Sequence, residues 1–250
     1  MNGYTTAIIG ATNEISRSII EKLIKTGEDS FFLTGRDEEK LRELIKELSI
    51  NYPNVVIVSR VFEISSGVNT IAALEESFPD NIKVNRLVYT LGVNYLSSAL
   101  EVTEDVWDTI FDVNVKGFFF VAQFFAKHMI LNNGGRIVAV ASQHGIRPNL
   151  DRSPYCASKA ALIMTTKTLA LELAKYNILV NAVAPTFIKY EKNANTLDSP
   201  RYSKFALNRI PLHEYAKADD VAEAICFLLT SCTNMITGHT LPVDGGWMLS

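Results

Sequence analysis

The chain has 250 residues, 48% of them hydrophobic and 20% charged, with a net charge of −3 and a pI near 5.9. That length suits one large α/β domain or two small ones and supports a sizeable single core, and the slight negative charge gives no electrostatic case for a nucleic-acid partner. No basic segment precedes an apolar run at the N-terminus, and Cys156, Cys226 and Cys232 lack metal-ligand spacing, so packed thiols, no metal and a cytoplasmic location are expected.

The first strand, "TTAII", runs into Gly10, and Asn13 opens the helical pattern "NEISRSIIEKLIKTG". Strand "SFFLT" and helix "RDEEKLRELIKELSI" repeat the unit, followed by strands "NVVIVSRV" and "RLVYT". A long helix is expected from about Thr103 to Leu131, apolar on most of its circumference. Its most apolar part, "GFFFVAQFFAKHMIL", is broken by Gln123, Lys127 and His128 and is expected to be too short to span a bilayer. A helix apolar all round needs cover all round, which predicts a homo-oligomer, dimer or tetramer. Strand "RIVAVAS", helix "SPYCASKAALIMTTKTLALELA" and strands "ILVNAVA" and "HTLPV" complete the pattern. These strands are apolar throughout, as when helices cover both sheet faces, so the expected fold is a doubly wound, mainly parallel sheet of Rossmann type, one domain over residues 1–250. Residues 186–212 read as irregular, and Phe187, Tyr190, Tyr202 and Phe205 make them a flexible substrate lid.

The chemistry gathers around "SPYCASK". Ser153 is placed to cap the helix and Pro154 fits its first turn. Tyr155 and Lys159 stand one turn apart on one face. An ammonium about 5 Å from a phenol favours the phenolate by about 3 kcal/mol at an effective dielectric of about 20, which moves a tyrosine toward general acid–base work. Taken alone, the pair is an ordinary solvated helix face. Support comes from Ser142, which ends a buried strand thirteen positions upstream, where open α/β sheets bind ligands. Asn114 lies among Phe111, Val113, Val115 and Phe118, where its amide must bond something or replace a disturbed backbone bond.

With "FDVNVKG", "RIVAVASQHG", "YCASK", "LVNAVAP" and "ITGHTLPVDGG" in order, the chain resembles the short-chain dehydrogenase/reductase family over essentially its whole length. The resemblance implies a catalytic tetrad of Asn114, Ser142, Tyr155 and Lys159. Tyr155 would move the proton, Lys159 would lower its pKa, Ser142 would hold the carbonyl oxygen, and Asn114 would anchor a water. It implies a dinucleotide over Gly10, Thr12, Asn13, Ile15, Arg36, Glu63, Ile64, Thr90, Gly92, Tyr155, Lys159 and Ile188. Substrate would lie against Ser142, His144, Tyr155, Thr186 and Phe187, with Tyr95 nearby and with Arg147 and Arg152 hinting at an anionic group.

The sequence departs from the family pattern mainly at the dinucleotide. Of the three glycines in Thr-Gly-x-x-x-Gly-x-Gly only Gly10 survives; Glu14 and Ser16 replace the others. A phosphate about 5 Å from the Glu14 carboxylate would meet about 3 kcal/mol of repulsion at the same dielectric. Tyr89-Thr90-Leu91-Gly92 replaces Asn-Asn-Ala-Gly, Pro185-Thr186 replaces Pro-Gly, and Tyr190 stands where a threonine would bond the carboxamide, so the cleft is expected to be bulkier. Arg36, with Asp37 capping the next helix, suits the 2′-phosphate of NADP(H) rather than NAD(H). The expected function is an NADP(H)-dependent oxidoreductase acting on a small carbonyl, alcohol or enone substrate in a biosynthetic route. The eroded loop supports a second reading, a silent binding or scaffold subunit, and a third is cofactor-free proton transfer in a dehydratase or isomerase.

Overall fold

The computed structural model describes residues 4–64, 70–79, 81–190 and 193–250. Seven strands, β1 (Thr5–Ile9), β2 (Ser30–Gly35), β3 (Val56–Val61), β4 (Val84–Tyr89), β5 (Gly135–Val140), β6 (Ile178–Pro185) and β7 (Thr240–Val243), form one sheet in the order β3-β2-β1-β4-β5-β6-β7. Every neighbouring pair is parallel. The strand order reverses between β1 and β4, which opens a crevice at their carboxyl ends. Gly10, Thr90 and Ser142 all lie just beyond the carboxyl ends of their strands.

Central strands are buried on both faces, β1 along its whole length. Phe32, Phe78, Phe118, Phe124 and Phe125 pack one side of the sheet, and Ile8, Ile19, Ile20, Leu33 and Ile225 pack the other. The edge strand β3 departs from the expected double cover, since Val56 and Val61 are exposed. An edge strand lacks neighbours on one side, and apolar residues alone do not reveal which strand is last.

Around the sheet lie α1 (Glu14–Lys25), α2 (Glu38–Asn51), α3 (Thr70–Ser77), α4 (Glu104–Phe111), α5 (Phe118–Leu131), α6 (Ser153–Leu173), α7 (Ala194–Leu197), α8 (Pro200–Leu207) and α9 (Ala218–Thr230). In α1 the isoleucines and Leu23 recur on the buried face, Asn13 caps the start, and Glu14 and Lys25 match the helix dipole at its two ends. The stretch expected as irregular, 186–212, holds α7 and α8; residues 191 and 192 lie outside the described residues. Helices of four and eight residues are too short to print a period on the sequence.

α4 and α5 form one helical rod, Glu104–Leu131, joined by a π-helical turn over Asp112–Gly117. By length and composition the rod could cross a membrane, contrary to the expectation of too short a segment, but 56% of its most apolar window is buried within the fold. Its cover is not complete, since Trp107, Phe119, Ile130 and Leu131 are exposed. The π-turn disturbs the regular backbone ladder, and Tyr89 Oη donates to the Val113 carbonyl at 2.5 Å. Both groups are buried. Tyr89→Phe leaves that carbonyl without its partner and is expected to lower stability by about 1–3 kcal/mol, measured as a fall in the urea midpoint with an unchanged slope.

Candidate active site

At the β1–α1 turn, Gly10 adopts φ +94, and a Cβ there would press on Leu91 and Thr90. The lost glycines are replaced by a polar knot. Ser16 Oγ donates to the Gly10 carbonyl at 2.9 Å and lies 2.9 Å from Thr90 Oγ1. Asn13 Nδ2 donates to the Gly10 carbonyl at 2.7 Å and to Thr90 Oγ1 at 3.0 Å, while Asn13 Oδ1 accepts from Ser16 N at 2.9 Å. The side chains of Asn13 and Thr90, expected to bond the dinucleotide, are thus committed to the turn. Ile15 and Ile64 are buried in the core and offer main chain alone.

The expected bulk in the cleft has largely gone elsewhere. Tyr89 points into the core toward Val113, and Leu91 packs on the same core. Glu14 is exposed at the start of α1, with no ion pair among the described residues. Tyr190 is half-buried and packs against the core on the Ile8 side of the sheet. Burial raises its phenol, and the charges of Glu14 and Tyr155 add to the effect.

The four tetrad residues come together as expected. Ser142 Oγ accepts from His144 N at 3.1 Å, and the serine hydroxyl is near enough to Tyr155 to favour its ionised form. Lys159 is buried, its Nζ 5.9 Å from the Tyr155 ring centre and donating to the Val140 carbonyl at 2.8 Å. Asn114 Oδ1 accepts from Val93 N at 2.8 Å, and its Nδ2 donates to the Val93 carbonyl at 3.0 Å and to Ser158 Oγ at 2.9 Å. Both amide hydrogens are therefore engaged, and Asn114 locks the 92–93 backbone to α6. A Cβ on Gly92 would stand 3.1 Å from Lys159 Nζ and 3.6 Å from Asn114 Oδ1, a close fit that would press on the lysine. The helix itself starts at Ser153, so Arg152 and not Ser153 holds the cap position, without a side-chain cap bond.

On the substrate side, His144 stands 6.5 Å ring to ring from Tyr155 and 5.7 Å from Phe187. Trp247, from the C-terminal turn, closes the wall 5.2 Å from Phe187, and Tyr202 of α8 packs 5.6 Å from Phe187. Burial, with the charge of Arg152 second, pushes His144 down to about 4, so its imidazole is neutral. His144 Nδ1, both polar atoms of Gln143 and Thr186 Oγ1 are buried without a hydrogen-bond partner among the described residues. Gln143 and Trp247 escaped the sequence reading; adjacency to Ser142 was the only available signal for the first.

Comparison with known proteins now decides the class. A family profile described as enoyl-(acyl carrier protein) reductase matches residues 10–248. The chain belongs to the short-chain dehydrogenase/reductase family. It is 34% identical over 250 residues to a 3-oxoacyl-[acyl-carrier-protein] reductase of Rickettsia bellii, covering 100% of this chain and 98% of that one. It is 35% identical over 249 residues to the L-xylulose reductase of Mesocricetus auratus, covering 99% and 98%. A crystal structure of gluconate 5-dehydrogenase from Burkholderia cenocepacia with NADP and tartrate superposes with a TM-score of 0.89 at 25% identity, covering 100% and 97%. This short-chain dehydrogenase/reductase is accordingly an oxidoreductase that exchanges hydride between a nicotinamide dinucleotide and a carbonyl or alcohol. The silent-scaffold and cofactor-free readings draw no support from these relatives.

The crevice residues of this enzyme fit such a dinucleotide. Arg36 is exposed beyond β2 and joins no ion pair among the described residues, while Asp37 is diverted to cap α2 by accepting from Lys40 N at 3.1 Å. Thr186 Oγ1 is an orphan at the end of β6, and Lys159 Nζ has one acceptor for three hydrogens. One expectation changes. In the free protein Tyr155 is raised, by burial first, with the Ser142 hydrogen bond and the Arg152 charge opposing; Lys159 does not pull it down. The reason is that the same burial pushes Lys159 down to about 7, so its own charge is only partly present near neutral pH.

A stability test follows from that lysine. Between about 7 and 10.5 the unfolded chain holds a proton that the folded chain has released, so stability rises with pH across that window. Lys159→Met removes this slope. The stability of the variant relative to the parent is expected to fall as pH rises from 7 toward 10.5, read by chemical denaturation at several pH values; a difference constant with pH contradicts the buried, depressed lysine.

Proposed function

We propose that this reductase converts a ketone to an alcohol with NADPH, Tyr155 giving the proton. The observation that carries the proposal is the placement of a buried Lys159, which joins no ion pair among the described residues, with its Nζ 5.9 Å from the ring centre of Tyr155 one helical turn away. When bound, NADP(H) supplies or takes up the hydride. Ser142 holds the carbonyl oxygen beside Tyr155. The Tyr155 phenol, kept neutral by burial, is a proton donor in the resting cleft. With the hydride that a bound dinucleotide would supply at the carbonyl carbon, the carbonyl oxygen would take the Tyr155 proton and the ketone would become the alcohol. Lys159, as ammonium, compensates the phenolate that remains, and Asn114 positions the floor of the site.

The cofactor is NADP(H), as in the Burkholderia cenocepacia neighbour. Arg36, with Thr12 beside it, faces the 2′-phosphate as a guanidinium without a competing carboxylate. Gly10, Ile15, Glu63, Ile64, Gly92 and Ile188 line the remaining path, Ile15 and Ile64 through main chain, and Asn13 and Thr90 hold the turn that it crosses. The substrate lies among Ser142, His144, Tyr155, Thr186 and Phe187, under a lid formed by residues 186–212. The enzyme works in the cytoplasm in a biosynthetic route, as the likeness to a 3-oxoacyl-[acyl-carrier-protein] reductase supports. Exposed Trp107 and Phe119 on the α4–α5 rod and Met164 and Leu171 on α6 support a homotetramer.

Two outcomes test this reading. Tyr155→Phe is expected to lower kcat by about 10²–10⁴-fold while NADPH affinity, measured by fluorescence titration, stays within about twofold; full turnover would remove the proton-transfer role. Arg36→Leu is expected to weaken NADPH binding by about tenfold or more with little change for NADH; equal losses for both dinucleotides would place Arg36 away from the 2′-phosphate.

A further inference from the structure

Several departures from the family pattern meet at one hydroxyl. Thr90, where that pattern has asparagine, stands just past β4 and faces the turn after β1. Its Oγ1 lies 3.0 Å from Asn13 Nδ2, 2.9 Å from Ser16 Oγ, 3.1 Å from the Ile9 carbonyl and 3.0 Å from the Gly10 carbonyl. A hydroxyl donates one hydrogen bond and accepts two, so these neighbours leave no place on Thr90 Oγ1 for solvent. Thr90 N also donates to the Ile9 carbonyl at 3.1 Å, so main chain and side chain of one residue hold the end of β1. The strand order reverses between β1 and β4, which puts this knot at the head of the crevice. The same segment carries the floor of the tetrad. Three residues on, Val93 N donates to Asn114 Oδ1 at 2.8 Å and the Val93 carbonyl accepts from Asn114 Nδ2 at 3.0 Å. Asn114 Nδ2 donates also to Ser158 Oγ at 2.9 Å, and the fully buried Ser158 donates to the Tyr155 carbonyl at 2.8 Å. Every step from the Gly10 turn to Tyr155 is therefore a hydrogen bond, or the covalent run from Thr90 to Val93. Within that run Leu91 packs on the core and Gly92 fits closely against Lys159, so it has little freedom.

We infer that Thr90 is a positioning residue whose hydroxyl ties the turn after β1 to the 90–93 segment, so that a dinucleotide seated on the turn is held in register with Tyr155. The inference rests on the reading above that a dinucleotide occupies the crevice. Register matters because hydride transfer needs the reacting atoms about 3–3.5 Å apart, and an error of about 1 Å costs up to about 10²-fold in rate. Glycine at position 16 would remove one partner of the Thr90 hydroxyl, and a residue without an amide at position 13 would remove another. The departures that look like erosion of the glycine loop thus work together. They fasten the cofactor end of the crevice to the catalytic end.

The test is amide hydrogen exchange read by NMR on the full chain, and it needs no turnover. The probe is adenosine 2′,5′-bisphosphate, which matches the 2′-phosphate end of NADP(H) and lacks the nicotinamide. At saturation in the parent it is expected to slow exchange of the Val93 N–H by about tenfold, relative to the core amide of Ile137. Thr90→Val keeps the shape and removes the hydroxyl; there the slowing should fall below about twofold, while Thr90→Ser should keep it. Asn13→Ser retains an oxygen to cap α1 but loses the amide that donates to Thr90. It should lose most of the slowing too, and it carries the test if Thr90→Val does not fold. A brace that only stabilised the fold would lower the urea midpoint of Thr90→Val and leave the bisphosphate effect intact. That result would overturn the inference, as would Thr90→Ser behaving like Thr90→Val. Bisphosphate that raises the melting temperature of the parent without slowing Val93 would overturn it as well, and would leave the dinucleotide reading standing. If neither bisphosphate nor NADPH raises that temperature, the dinucleotide reading falls and the inference falls with it.

Discussion

A lysine amine held in the interior with a backbone carbonyl for company is the constraint on which this site turns. Lys159 Nζ reaches the Val140 carbonyl at the end of β5, and no carboxylate among the described residues pairs with it. That contact requires a parallel sheet to bring β5 and α6 to one edge, a glycine at position 92 to leave room, and Asn114 to pin the adjacent backbone. The π-turn on the α4–α5 rod carries Asn114. Fold and site are therefore one arrangement, since moving the rod, the strand end or the glycine would displace the lysine.

The crevice as a whole follows the same logic. Arg36, Arg152 and Lys159 line the carboxyl edge of the sheet, and none joins an ion pair among the described residues, although the chain carries a net charge of −3. Arginines without an ion-pair partner among the described residues, beside the cleft of an acidic protein, focus its field on anions. Glu14 does not undo this, because its carboxylate lies in solvent. The turn at Gly10 is rebuilt with hydroxyls and an amide in place of glycines, and their hydrogen bonds supply the rigidity that close packing of glycines would otherwise give.

Strand positions, the parallel sheet and the Ser142–Tyr155–Lys159 set were legible because each leaves a local mark: apolar runs, turn residues, and a four-residue spacing on a helix. Asp37 as a helix cap was legible for the same reason. The π-turn was not, since one extra residue in a turn leaves no trace in a stretch apolar on every side. Nor was the direction of Tyr89 or the commitment of Thr90, because a strand buried on both faces gives no alternation to tell inward from outward. The two short helices after Phe187 lacked the length to show a period. The state of Tyr155 was misjudged on physical grounds: a pairwise attraction to Lys159 was weighed without the burial that both groups share, and that burial raises the phenol while it lowers the amine.

The most direct measurement is the ionisation of Tyr155 itself. Tyrosinate absorbance can be titrated in the protein and in Tyr155→Phe, and the difference gives the one phenol. The account predicts that this difference titrates above 10.0 in the protein without dinucleotide, a neutral acid ready to give its proton. A phenol that ionises below 10.0 in the free protein would mean that the lysine had already won over burial, and would contradict the account.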